Sequence, residues 1–216
     1  GYKNRCMQAY QPPGNAMKYH HGNLKQQLIL CTYDWIAVNG FDRLSLRQIA
    51  KIANVSQTAP YRHFDSKEHL LAEVGALAFN NFSKEMNENE VTDDPADDLV
   101  KCGVTYIEFG LKHPCIIELM FNHPLKGSDF PNFLAASDRA FGELQTRIKR
   151  LHRGNDDATR LNSISTHAYV HGLLSIIQIN QRIGDAGTTD YYKASSQVKI
   201  NLEKMLAAFV KNLDFS

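Results

Sequence analysis

The segment from Leu44 to Leu71, LSLRQIAKIANVSQTAPYRHFDSKEHLL, restricts the fold of this chain more than any other, because it carries three helix starts and one tight turn in a single short run. Ser45 precedes an apolar repeat and Gln48 follows three residues on, the spacing at which a capping serine and a reciprocating side chain satisfy the first free amides of a helix. Leu46, Ile49, Ala50 and Ala53 recur at helical steps and form a small apolar stripe, leaving Arg47, Gln48 and Lys51 on other faces. Asn54, Val55 and Ser56 predict a turn, with Ser56 placed to cap a second helix over Gln57 to Phe64. Asp65 or Ser66 opens a third helix, with Glu68 as a box partner for Asp65. Two short helices set at an angle by a tight turn and followed by a third have the layout of a helix-turn-helix, in which the second helix enters a DNA groove.

Charge supports that layout. Up to Lys67 there are nine basic residues (Lys3, Arg5, Lys18, Lys25, Arg43, Arg47, Lys51, Arg62, Lys67) against three acidic ones (Asp34, Asp42, Asp65). The whole chain has a net charge of +1, so the front is in excess by +6 and the remainder by −5. The chain opens on Gly1 and has Met7 and Met17 inside; with Met17 as the start, the front excess falls to +4. A basic front on an acidic body suits a protein that offers one end to phosphate.

A chain of 216 residues can bury a full core, and no apolar run approaches the length of a membrane span. Four cysteines, Cys6, Cys31, Cys102 and Cys115, show neither a C-x-x-C pair nor zinc-finger spacing, and Cys31 and Cys102 sit in apolar helical patterns. With no secretory signal visible, the reducing cytoplasm is the expected location.

The remaining pattern is helical throughout. Residues 1–16, with Pro12, Pro13 and Gly14, predict a flexible leader. Asn23 and Gln26 mark a helix start, and Leu24, Leu28, Cys31 and Trp35 repeat until Asn39-Gly40, with Trp35 expected to anchor the small three-helix core. The helix from Asp65 or Ser66 runs past Phe82 to a polar stretch at Asn87 to Asp94. Further helices are expected from Pro95 to Lys112, Cys115 to Asn122, Pro131 to His152, Thr159 to Arg182 and Tyr191 to Asn212. The fold class is all-α, with about nine helices.

At this point the run from His20 to Leu71 resembles the DNA-binding domain of TetR-family transcriptional regulators. YHHGNLKQQLI opens the first helix, FDRLSLRQIAKIANVS gives its exit and the second, and APYRHFDSKEHLL gives the reading helix and its sequel. The resemblance implies a helix-turn-helix DNA-binding domain at 17–68 and a helical regulatory and dimerisation domain at 69–216. It implies a homodimer on double-stranded palindromic operator DNA, acting as a repressor that answers to a small-molecule effector still to be identified, with no cofactor and no membrane.

Gln57 and Thr58 stand at the leading end of the reading helix; Gln57 can bond adenine through two hydrogen bonds, while Thr58 and Ala59 can touch a thymine methyl. Tyr61, His63 and Lys67 match positions that contact phosphate in the family, and Ser45 and Arg47 are expected on the backbone of the other strand. The arm Lys18 to His21 either lies along the DNA or caps the first helix. Pro60 falls where a missing amide hydrogen costs least, and Phe64 belongs to the core.

In the body, YIEFGLKHPCIIELMF (Tyr106 to Phe121) and YVHGLLSI (Tyr169 to Ile176) are similar to the TetR subgroup named WHG for a Trp-His-Gly signature, although Val170-His171-Gly172 lacks the tryptophan. Phe109, Met120, Phe121, Phe133 and Tyr169, with His171 as polar anchor, are the expected ligand pocket, the alternative being that these aromatics fill the core. Val198, Leu202, Met205, Leu206, Phe209 and Leu213 make one apolar face, and Leu161, Ile164, Ala168, Gly172 and Ser175 another; in the family the final two helices form the dimer interface. Two other readings stay open. One is an architectural DNA-binding protein without a ligand. The other is a metal-dependent enzyme using His167 and His171, which stand at i and i+4 but lack the H-E-x-x-H pattern.

Overall fold

The structure is a computed structural model, and it describes residues 23–88, 92–123, 125, 129–151, 155–183 and 189–213. The expected arm and leader therefore lie outside the described residues. The helices are α1 (Leu24–Asn39), α2 (Leu46–Ile52), a 3-10 turn (Pro60–Arg62), α3 (Lys67–Glu88), α4 (Pro95–Lys112), α5 (Pro114–Phe121), α6 (Pro131–Leu151), α7 (Asp156–Ile183), α8 (Asp190–Ile200) and α9 (Leu202–Lys211). Among the described residues there are nine α-helices and no strand, so the chain is all-α. No helix among the described residues is long and apolar enough to cross a membrane.

The chain divides into two compact units, one of residues up to Asn81 with 112–138, the other of 82–111 with 139–216. The divisions fall inside α3, at the end of α4 and inside α6.

In the first unit, α1 begins where Asn23 accepts the Gln26 amide at 3.2 Å and ends at Gly40, whose φ of 70° suits a residue without a Cβ. Its inward face is Leu28, Thr32 and Ile36, all fully buried. Trp35 corrects the sequence reading: one position off that face, it is only partly buried, and Ile36 with Ile49 and Phe64, each at 0% exposure, fills the centre instead. The α2 stripe is as expected, with Leu46, Ile49, Ala50 and Ala53 all buried. Helix α1 also packs on α5, which contributes the fully buried Ile116 and Leu119.

In the second unit α4 approaches α7 so closely at Gly110 that an added Cβ would stand 2.3 Å from Leu174 Cδ2. Tyr169 of α7 stacks on Phe209 of α9, ring centroids 4.2 Å apart, and donates its hydroxyl to the Met205 carbonyl at 3.4 Å. Leu99, Ile148 and Val210 form a buried cluster with Phe209 and Leu213 against it. The helix expected over Tyr191 to Asn212 is in fact two. Asn201 separates α8 from α9, and its backbone and side-chain amides both donate to the Gln197 carbonyl at 3.0 Å.

Candidate nucleic-acid interface

The first unit builds its exposed turn from three local devices. Ser45 accepts the Gln48 amide at 3.2 Å and so starts α2. At the other end of α2 the Val55 amide donates to the Ala50 carbonyl at 3.0 Å and the Asn54 amide to the Lys51 carbonyl at 3.2 Å. This pair of bonds is the Schellman closure, and it requires the residue between to be left-handed: Asn54 has φ 54°. The Gln27 side-chain amide then donates to the Ala53 carbonyl at 3.2 Å, tying the end of α2 to α1.

After the turn, the α-helix expected over Gln57 to Phe64 is replaced by a tighter run. The Ala59 amide donates to the Ser56 carbonyl, Arg62 to Ala59 and His63 to Pro60, at 3.0, 3.2 and 3.0 Å, and only Pro60–Arg62 closes as a 3-10 turn. Pro60 is the physical reason: it has no amide hydrogen to give the Ser56 carbonyl, which the Ala59 amide takes instead. Phe64, fully buried, plugs the end of the run.

This tight run sorts the side chains. Gln57, Thr58, Tyr61 and Arg62 are exposed, Tyr61 at 51%, while Ala59 at 8% faces inward. His63 is half-buried. Ser45 and Arg47 are exposed, with the Ser45 hydroxyl occupied in its cap. Lys67 is half-buried and its ammonium donates to the Asp42 carbonyl at 3.3 Å, holding the α1–α2 connection to the start of α3. The imidazole of His123 lies edge-on to Phe41 at 4.8 Å, and burial first and the Lys67 charge second push its pKa down. Three exposed cations that the sequence reading did not place at the site, Arg43, Lys51 and Arg62, belong to the same stretch of chain. Only their position beside the turn residues could have marked them.

What fixes α3 against α1 is a charged contact: Lys25 donates to Glu73 at 2.8 Å, and Asn132 at the start of α6 donates to the same oxygen at 3.1 Å. Ser66 accepts the His69 amide at 3.0 Å and caps α3.

The expected pocket residues fall in both units. Met120, Phe121 and Phe133 belong to the first, where Phe121 and Phe133 flank Phe79 of α3 at 5.4 and 5.6 Å between ring centroids. Phe109, Tyr169 and His171 belong to the second. There Tyr106 and His171 share a 2.8 Å hydrogen bond between the phenol oxygen and Nδ1, and Phe82 lies against Tyr106 and Phe109 at 5.5 and 5.2 Å. His167 and His171 stack at 5.8 Å, and burial pushes both pKa values down. Among the described residues no group of three or more His, Cys, Asp or Glu is placed to hold a metal.

These features define an all-helical protein that carries a capped helix-turn-helix at its front. Residues 32–74 match the family described as bacterial regulatory proteins, tetR family, over about a fifth of the chain. The match runs from the second half of α1 into α3. The chain is 23% identical over 134 residues to the nucleoid occlusion factor SlmA of Shewanella baltica, a match covering 61% of this chain and 66% of that protein, just under two thirds of its length. The fold is shared with a protein of unknown function from Rhodococcus sp. RHA1 at TM-score 0.68 and 20% identity, covering 91% of this chain and 98% of that one. It is shared also with a TetR variant from Acinetobacter baumannii AYE, solved in complex with minocycline, at TM-score 0.56 and 15% identity, covering 85% and 92%.

Proposed function

We propose that this chain is a sequence-specific, DNA-binding transcriptional regulator that works as a homodimer on a palindromic operator in the cytoplasm. The observation that carries the reading is the exposed set Gln57, Thr58, Tyr61 and Arg62, held on a tight turn by the Asn54 closure. Gln57 and Thr58 are the base readers, and Ala59, turned inward, drops from that role. Tyr61, His63, Lys67, Ser45 and Arg47 serve the backbone, joined by Arg62. The second copy is expected on α7, where Leu161 and Ile164 are 70% and 57% exposed and Ala168 and Gly172 share their stripe. The apolar face of α8 and α9 is turned into its own unit, leaving Ile200, Ala207 and Ala208 outside.

A small effector is the expected regulator; a TetR variant of the same fold was solved with minocycline. The aromatic and histidine group around Tyr106 and His171 is the polar feature of the body that a ligand could use. A second reading, a DNA-bound protein that takes no effector, draws on the similarity to a nucleoid occlusion factor.

Tyr61→Ala and Lys67→Ala test the interface through the salt dependence of binding. Lys67→Ala should weaken binding to every duplex and lower the slope of log affinity against log salt by about one, while Tyr61→Ala, which removes an uncharged contact, should weaken binding with the slope kept. Unchanged slope and affinity in both variants would remove these residues from the interface.

A further inference from the structure

The reading end holds a histidine that comes from outside the helix-turn-helix. His123 follows α5, the helix packed on α1, and its amide donates to the Glu118 carbonyl at 3.0 Å, so the closure of α5 fixes where the ring stands. The half-buried ring meets Phe41 edge-on, with 4.8 Å between centroids. Phe41 lies in the connection from α1 to α2, and the next residue, Asp42, gives its carbonyl to the Lys67 ammonium at 3.3 Å. All of these residues belong to the first unit. His123 thus braces the connection that leads to Ser45 and Arg47, and it stands beside the lysine proposed for a DNA phosphate.

We infer that His123 is a positioning residue of the DNA interface and that its protonation strengthens the interface, so that the chain binds DNA more tightly as pH falls. The inference rests on the DNA-binding function proposed above. Four charged groups act on the imidazole: Lys67 and Glu68 from α3, Asp42 from the α1–α2 connection and Glu118 from α5. Burial first and Lys67 second disfavour the imidazolium, and the three carboxylates offset only part of that, so the pKa in the free chain lies below the ordinary histidine value. A phosphate on Lys67 reverses the local sign, because it sets a negative charge against the ammonium and favours a cation next to it. The pKa then rises on binding, and binding takes up a proton. Affinity therefore grows as pH falls from the bound value towards the free one, by about tenfold for each unit between them. Above that window the ring is neutral in both states and only its packing on Phe41 counts.

Affinity for a duplex selected by the wild-type chain, compared at about pH 8 and about pH 5.5 in one salt, tests this with His123→Phe and His123→Ala. His123→Phe keeps an aromatic edge on Phe41 and carries no proton. It should bind within about twofold of wild type at the higher pH and fall at least about threefold behind it at the lower one. His123→Ala removes the brace as well and should bind several-fold more weakly at both. His63 and His69 are present in all three chains, so their contribution cancels in the comparison. A phenylalanine variant with the full wild-type gain overturns the proton linkage, and an alanine variant equal to wild type at the higher pH overturns the brace. NMR titration of the His123 ring supplies a second readout. Its midpoint should rise in Lys67→Ala, and rise in wild type when duplex is added; a midpoint indifferent to both overturns the inference, and the wild-type titration decides the matter if a variant does not fold. Wild type that binds no duplex at either pH sinks the proposed function, whereas binding with no pH gain traceable to His123 sinks this inference alone.

Discussion

Asn54 shows how much can rest on one dihedral angle. Its φ of 54° lies in the region that costs a side-chain-bearing residue about 1–2 kcal/mol, less for asparagine, which bonds locally there. The sequence marked this position as a turn without showing its handedness. Asn54→Gly should leave stability within a few tenths of a kcal/mol or raise it slightly, whereas Asn54→Val should cost about 1–2 kcal/mol in urea unfolding. Equal stability of the valine variant would mean that the turn is not left-handed in solution. Other residues were less legible. The Ser45 and Asn23 caps follow from three-residue spacing, and both are made. The inward turn of Ala59 was hidden, because it depends on whether the run from Ser56 closes with α or 3-10 bonds. The ion pairs of Asp98 with Arg147 and Arg150, at 3.8 and 2.7 Å, gave no signal at all: about fifty residues separate the carboxylate from its partners, and no local pattern joins them.

At the scale of elements, apolar periodicity placed α4 from Pro95 to Lys112 and put the other body helices within a few residues of their ends. It failed at two local breaks in the helical run. Pro60 withholds an amide and turns the expected reading helix into a tight 3-10 run, and Asn201 divides the last long helix while keeping Val198 and Leu206 buried on either side. Helix spacing was equally invisible, because it is set by glycines whose role depends on the partner. At Gly110 a Cβ would stand 2.3 and 2.9 Å from the two methyl carbons of Leu174 and 3.2 Å from its Cγ, and that side chain is 1% exposed. Gly110→Ala should therefore destabilise the chain by about 1–3 kcal/mol despite alanine's better helix propensity, a balance that thermal or urea unfolding can measure. Gly142 of α6 is the control, since a Cβ there meets nothing within 4 Å; Gly142→Ala should be neutral or gain up to about 1 kcal/mol.

For the whole molecule, the basic front and acidic remainder were legible as charge counts, and the TetR resemblance as a run of positions in fixed register. Which apolar stripe stays outside was not. The sequence offers two amphipathic faces near the C-terminal end, and the fold uses the α8–α9 face for its own core and leaves the α7 stripe uncovered. If that stripe joins two copies, Leu161→Glu combined with Ile164→Glu should yield a folded monomer in sedimentation, with half-site affinity kept and palindrome affinity reduced by at least about tenfold. A double variant that still sediments as a dimer would place the interface elsewhere.

Selection of bound duplexes from a random pool by the wild-type chain tests the central claim most directly. An inverted repeat whose half-sites lie one turn of DNA apart should be enriched, with enrichment that disappears for Gln57→Ala. A pool that returns no common sequence at low salt, or a single unrepeated site bound by one copy, would contradict it.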